Sequence, residues 1–191
     1  MEKTYNHFLS IRKPIYMLLL GVLLGTITTT FVHAQRVAFK TNALYWATLS
    51  PNIGAELRLS QHFTVGMGLV GNVCKIGSYK PQFIGAEGEV RYWFSRPMAR
   101  HFVGAMVALE SHDMQLKNTN HYGDALAGGF TYGYAMPMGK RWNLEGSIGL
   151  GLVHLRDYKW SVGSLKPVSA NNSKTTLAPM KASISIAYIL K

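Results

Sequence analysis

Apolar and polar positions alternate with a period of two along much of this chain, and the stretch 84–94 shows the pattern best. Glu87, Glu89 and Arg91 fall on one face of this stretch. Ile84, Val90 and the aromatic residues near its end fall on the other. Alternation of this kind predicts a β-strand with one polar and one apolar face.

Seven other segments follow the same plan, and we predict no helix between any of them. Short turns are predicted around Pro51, Gln61, Pro97 and Gly139. Polar loops are predicted at 115–123 and 157–176. Because consecutive strands joined by turns and loops run in opposite directions, the sheet should be antiparallel. The predicted strands cover 37–47, 52–60, 63–73, 84–94, 103–112, 126–136, 142–152 and 181–190.

The charges favour a barrel with a polar interior and an apolar exterior. Every glutamate after residue 34 lies on the polar face of a predicted strand. A basic side chain on the lipid face of a membrane barrel costs ~2–4 kcal/mol at the midplane, and an acidic one costs less, so charges are sorted inward. A soluble lipocalin-like barrel, the alternative, would need the opposite pattern. We therefore predict an all-β fold, an eight-stranded antiparallel transmembrane β-barrel of the outer-membrane type.

Aromatic residues support this interpretation, since they fall on the outward faces at one predicted end of the barrel. Amphipathic rings are favoured at a membrane interface. The residues concerned are Phe63, Tyr92, Phe94, Tyr134, Trp142 and Tyr188.

The N-terminus has the features of an export signal. Lys3, Arg12 and Lys13 precede an apolar run from Ile15 to Val32, and Ala34 provides a small residue for cleavage. We predict a secretory signal peptide at 1–34 and the outer-membrane barrel at 35–191. The alternative is an N-terminal membrane anchor that is retained.

The chain is strongly basic, with a formal net charge of +11. Such a charge can indicate a nucleic-acid partner, but export makes anionic lipid or polysaccharide the better expectation. Cys74 is the only cysteine, so an internal disulfide is impossible. The histidines show no metal-ligand spacing, and no cofactor is predicted.

The charged inner faces are the candidate site. Paired carboxylates on one face could divide acid and base roles. We favour a structural ion network, because an eight-stranded barrel is just wide enough for side chains to fill. Lys40 and Lys181 also lie on the inner faces and bring the charges close to balance, as burial requires. The predicted network consists of Glu56, Arg58, Glu87, Glu89, Arg91 and Glu145.

Two other function classes are considered beside a non-enzymatic barrel with a structural or cell-surface interaction role. One is a lipid-modifying outer-membrane hydrolase, for which Glu110 and His112 share an inner face. Ser111 and Asp113 should point away from His112, because consecutive strand residues face opposite sides. The other is a narrow channel or transporter, against which the filled lumen argues.

Basic residues in the longest predicted loop suggest a surface partner. Lys159, Lys166 and Lys174 should face outward, where lipopolysaccharide phosphates form an anionic layer. Each basic residue near such a surface contributes ~1 kcal/mol of attraction. We predict that these lysines contact lipopolysaccharide or an acidic surface glycan, with plain solubility of the loop as the alternative.

With its strands located, the chain resembles the uncharacterised small outer-membrane β-barrels of Bacteroidetes, a family of unknown function. The resemblance implies an outer-membrane location in a Gram-negative cell, outer-membrane lipid and lipopolysaccharide as neighbours, and a fimbrial or other cell-surface protein as partner. It implies no activity. Residues 188–191 end in Lys191, whereas many such barrels have an aromatic residue at the last position. The resemblance rests on the segments 37–45, 51–56, 87–94, 142–145 and 179–182.

Overall fold

The computed structural model separates residues 1–35 from residues 36–191 and describes only the second range. The residues described are 36–72, 80–116, 118–165, 167 and 170–190. The predicted signal peptide at 1–34 therefore lies outside the described residues, as do Cys74 and Lys166. Within the described part, no helix is long and apolar enough to cross a membrane.

Eight antiparallel strands form a closed barrel in which each strand pairs with its neighbours in sequence and β8 pairs with β1. The predicted all-β, eight-stranded antiparallel fold is confirmed. The strands are β1 Val37–Asn42, β2 Asn52–Arg58, β3 Phe63–Asn72, β4 Lys80–Trp93, β5 Arg100–Leu116, β6 Thr119–Pro137, β7 Trp142–Ser161 and β8 Asn172–Ile189.

The barrel closes with a large stagger between its first and last strands. Moving from Lys40 to its pairing partner on β2, and from each partner to the next strand, leads to Thr176 of β8. Across the seam where the barrel closes, however, Lys40 pairs directly with Ala187 of β8. These two β8 residues are eleven positions apart, and Met180 is an extra residue at a bulge, so the stagger is ten. An even stagger keeps inward faces inward all round the barrel, because side chains alternate with a period of two.

A short helix, α1, follows β1 at Ala43–Ala47, where the sequence had predicted a continuous strand to residue 47. That prediction is wrong. The Asn42 side chain accepts a hydrogen bond from the Leu44 backbone N–H at 3.0 Å and so caps the helix. Because α1 ends the strand early, β1 has only six residues.

The lower end of the barrel, which carries the turns 59–62, 94–99 and 138–141, is even. Backbone hydrogen bonds connect neighbouring strand ends there, including Trp93 N to His62 O at 2.8 Å and Leu190 N to Val37 O at 2.7 Å. Among the described residues, therefore, no strand projects beyond its neighbours at this end.

The upper end is uneven, since β1 and β2 have six and seven residues while β5 to β8 have 17 to 20. The predicted loop at 115–123 is largely strand, and the one at 157–176 is strand at both of its ends. Only residues 117 and 118 separate β5 from β6, and β7 continues to Ser161. The first loop prediction is wrong, and the second is confirmed only for the described residues between Ser161 and Asn172, because the strands continue past the point where their outward faces become polar.

Apolar side chains cover the outside of the barrel and charged ones lie inside. Phe130 and Met67 are 78% and 72% exposed, whereas Arg91 and Glu56 are 5% and 2% exposed. The apolar cluster that is fully buried is small and lies near the lower end, formed by Trp93, Phe102 and Ala135. This distribution is the reverse of a soluble barrel, as the alternation predicted.

Candidate functional site

Arg91 is the centre of an ion network inside the barrel. Its Nη1 atom lies 2.9 Å from a carboxylate oxygen of Glu56 on β2 and 2.9 Å from one of Glu145 on β7. Its Nη2 atom lies 2.7 Å from Glu89 on β4. One guanidinium thus joins carboxylates from three strands, and it stacks on the Phe102 ring with 4.4 Å between its central carbon and the ring centroid.

Lys40 extends the network to β1. Its ammonium group lies 2.6 Å from Glu145 Oε2 and also contacts Glu56 Oε2. Both carboxylates therefore bind one lysine and one arginine each, which gives every charge in this half of the network an opposite partner.

Lys181 extends the network to β8. Its ammonium group lies 2.7 Å from Glu87 and 3.0 Å from Glu89. The Thr131 hydroxyl donates a hydrogen bond to the other oxygen of Glu89. Gly104 makes this contact possible, because a Cβ there would overlap Thr131 and Glu89.

The network holds three basic and four acidic side chains, a net charge of −1. Arg91, Glu56 and Glu145 are almost fully buried. Buried charges are costly unless they are paired and hydrogen-bonded, so this near-balance is what allows the charges to fill the lumen. The arrangement supports the structural interpretation of the candidate site.

Arg58 lies apart from the network, and the prediction that included it is wrong. Its side-chain Nε donates a hydrogen bond to the Ser60 carbonyl oxygen at 2.9 Å. Strand β2 ends at Arg58, so the side chain leaves the interior at the lower rim instead of reaching Glu56.

Below the network the lumen is closed by packed side chains. The Trp93 and Phe102 rings lie 4.7 Å apart, and the Trp93 indole N–H donates to the Thr64 hydroxyl at 2.9 Å. Met98, from the turn 94–99, is buried there as well, and its carbonyl accepts a hydrogen bond from the Asn143 side chain. A continuous aqueous path through this end would require these groups to move.

The sequence-predicted hydrolase residues lie in the upper part of β5. Glu110 and His112 share the inner face, with 3.7 Å between Glu110 Oε1 and His112 Nδ1. Ser111 and Asp113 are exposed on the other face. The structure therefore brings no serine nucleophile from this segment to His112.

A second polar group in the upper barrel was missed by sequence reasoning. His121 Nδ1 lies 2.9 Å from Asp157 Oδ2, and the Asn172 side-chain amide donates to Asp157 Oδ1. Asp157 is buried and lies over Gly123, where a Cβ would overlap it. The signal in the sequence is the continued alternation of 151–157, which the predicted loop obscured.

Two of the three lysines predicted for the longest loop lie on strands instead. Lys159 is on β7 and Lys174 is on β8, both exposed. They occupy the same face of their strands as Asp157 and Asn172, which is the inner face. Lys166 lies outside the described residues.

A cavity of about 140 Å³ lies between the ion network and helix α1. Tyr45, Glu87, Glu110, Met180 and Lys181 are among its lining residues. Burial, together with the negative charge of Glu87, raises the pKa of Tyr45 above its ordinary value. The phenol therefore stays neutral near pH 7 and adds no charge to the cavity.

Within the described residues, no group of three histidine, cysteine or acidic side chains is placed to hold a metal ion.

Comparison with known proteins gives a match to a family model. No curated protein and no solved structure matches the chain. A family model described as "Protein of unknown function (DUF3575)" matches residues 18–190. Because the match covers nearly the whole chain, this protein belongs to that family, DUF3575.

Proposed function

We propose that the protein is an integral outer-membrane β-barrel of a Gram-negative cell with a non-enzymatic, structural or cell-surface interaction role. The observation that carries the proposal is the apolar outer surface. Phe130, Leu150 and Ile184 are exposed on three different strands, while the charges of the network lie inside. Exposed apolar surface on this scale destabilises a protein in water and matches a lipid environment.

The height of the apolar surface supports the membrane placement. On β7 the outward apolar residues run from Trp142 to Leu152, close to the ~9–11 residues that a tilted strand needs to cross the hydrocarbon core. Directly above this level, one row of outward residues is polar on four strands at once. Ser111, Asp124, Arg156 and Ser173 are register partners in one row across β5 to β8.

Aromatic side chains at the lower rim support the position of the other interface. Phe63 packs against Tyr92 with 5.3 Å between ring centroids, and Trp142 packs against Tyr188 at 4.9 Å. All four rings are on the outward faces, and Arg141 donates a hydrogen bond to the Tyr188 hydroxyl at 2.9 Å. Rings with one apolar and one wet side are favoured at this depth.

The filled interior favours a structural role over transport and catalysis. The network spans the lumen, and the Trp93–Phe102 cluster closes the lower end. A channel would need an open path, and a hydrolase would need a nucleophile beside His112. A cell-surface role suits the upper parts of β5 to β8, which rise above the apolar band and provide an exposed face for a fimbrial or other surface protein.

Lipopolysaccharide is the second partner that we propose. Lys159 and Lys174 are exposed at the upper end but lie on the inner faces of their strands, so lipid phosphates of the outer leaflet would reach them over the rim of the barrel. Their attraction to these phosphates should fall as salt screens it.

Site-directed spin labelling tests the membrane placement. In a Cys74→Ser background, Phe130→Cys and Arg156→Cys place labels on outward faces of neighbouring strands, one inside the apolar band and one above it. In lipid vesicles we expect the label at 130 to collide mainly with oxygen and the label at 156 mainly with a water-soluble nickel chelate. Equal nickel accessibility at both positions would refute the proposal.

A further inference from the structure

The barrel wall is low on one side. β1 pairs with β8 only up to Asn42 and Ser185, yet β8 continues through 172–184 beyond this pair. At ~3.3 Å per residue this stretch is roughly 40 Å long. Beside it, the described part of the wall consists of α1 and the segment 48–51, which connects α1 to β2. The described residues therefore leave a side gap between β8 and β3 above the ends of β1 and β2.

The gap begins within the proposed lipid-facing band. Leu177 of β8 borders it and is 72% exposed, and its partner Leu152 on β7 is an exposed outward residue as well. On α1, Leu44 and Trp46 are exposed apolar side chains at the base of the gap. A molecule that enters through the gap would thus come from the apolar part of the outer leaflet.

The inner face behind the gap is mostly apolar. Unlike Glu56, Arg91 and Glu145 below, these residues are only half-buried, which means that space remains in front of them. A lumen filled with water alone would have polar lining, as the interiors of porins do. Its polar members are Thr176, the register partner of Val153, and Glu110, the register partner of Ala125. Its apolar members are Ala125, Ala127, Val153, Leu155, Ala178 and Met180.

Polar and basic groups lie directly above this apolar face. His121, Asp157 and Asn172 form a hydrogen-bonded row. Lys159 and Lys174 flank this row on the same inner face. Lys159 is the next inward residue above Asp157 on β7, and Lys174 is the next inward residue below Asn172 on β8, level with Leu155. Apolar lining below and two ammonium groups above match a molecule with an apolar chain and an anionic head.

We propose that this chamber binds a single-chain anionic amphiphile, whose chain enters through the side gap and lies against Val153 and Leu155. Its head group would lie between Lys159 and Lys174. From Met180 to Lys174 the chamber extends roughly 20 Å along β8, long enough for a dodecyl chain. The inference rests on the proposed membrane placement, which gives the ligand its route.

Native mass spectrometry of the mature chain in amphipol tests the proposal, with dodecyl phosphate as the probe. Val153→Trp fills the chamber from the inside, and Leu152→Trp places the same side chain on the outer face one residue away. We expect Val153→Trp to reduce occupancy at least tenfold and Leu152→Trp to leave it unchanged. Folding of both variants is checked by the heat-dependent gel shift that folded barrels show.

The head group is tested with a second pair of variants. Replacing both Lys159 and Lys174 by glutamine should weaken dodecyl phosphate binding about fivefold to tenfold and remove its salt dependence, whereas Lys140→Gln at the lower end should have no effect. Butyl phosphate and dodecyltrimethylammonium should not bind. Equal binding to Val153→Trp and Leu152→Trp, equal binding of the cationic probe, or absence of binding to the wild type would overturn the inference. Failure of the membrane placement itself would be recognised separately, by the spin labels at 130 and 156.

Discussion

Replacing Arg91 by alanine should destabilise the barrel strongly. The substitution removes the partner that Glu56, Glu89 and Glu145 share and changes the net charge of the network from −1 to −2. Lys40 and Lys181 remain as partners, so no carboxylate loses all compensation. Breaking a buried ion pair costs ~3–5 kcal/mol, and we expect a loss of unfolding free energy in this range.

Equilibrium urea unfolding in lipid vesicles measures the effect, with Trp93 as a buried fluorescent reporter close to the network. Arg58→Ala is the matched control, because that side chain makes a hydrogen bond to Ser60 at the rim, typically ~0.5–1.5 kcal/mol. A difference of ~3 kcal/mol between the two variants corresponds to more than a hundredfold in the unfolding constant. Adding Glu145→Gln to Arg91→Ala restores the net charge and should recover part of the loss. If Arg58→Ala and Arg91→Ala unfold at the same urea concentration, the structural interpretation of the network is wrong.

Two smaller substitutions test the packing of the wall. Gly129→Ala should lower the free energy of unfolding by ~1–3 kcal/mol through overpacking, because a Cβ there would overlap the Leu150 carbonyl oxygen. Gly128→Ala is the control, since a Cβ on the outer face meets nothing and the substitution should be neutral. Equal thermal unfolding midpoints for the two variants would contradict this prediction. Trp93→Ala should cost ~3–5 kcal/mol by opening a cavity, and Trp142→Ala, exposed at the rim, should cost clearly less; similar losses for the two would refute the closed lower end.

The faces of the strands were predictable from the sequence, because the barrel interior and exterior differ so strongly in polarity. On β4, Glu87, Glu89 and Arg91 alternate with residues of the opposite face. If these charged side chains point into the barrel, the residues between them must point outward. The pattern does not specify which charges meet. That depends on the stagger of closure, which brings Lys181 of β8 to Glu87 and Glu89 of β4 and leaves Arg58 outside the network.

The strand ends were less predictable, for a physical reason. On β6 and β7 the outward residues change from apolar to polar at Asp124 and Arg156, where the strands leave the proposed lipid layer. The backbone pairing continues, but a pattern search interprets the polarity as a loop. The opposite error occurs at 43–47, where apolar residues that suit a strand form a helix because Asn42 caps it.

The bulge at Met180 has a consequence for how this chain can change in length. Removing one residue from β8 would make the stagger between β1 and β8 odd. Lys181, Ser183 and Ser185, which now face the interior, would then turn toward the outside over part of the strand. Single-residue insertions and deletions within the paired walls should therefore be eliminated by selection unless they come in twos or create a second bulge. Length differences between homologous chains should accumulate in the connections at the upper end, so a gap of one inside a strand in an alignment of such chains marks either a bulge or an alignment error.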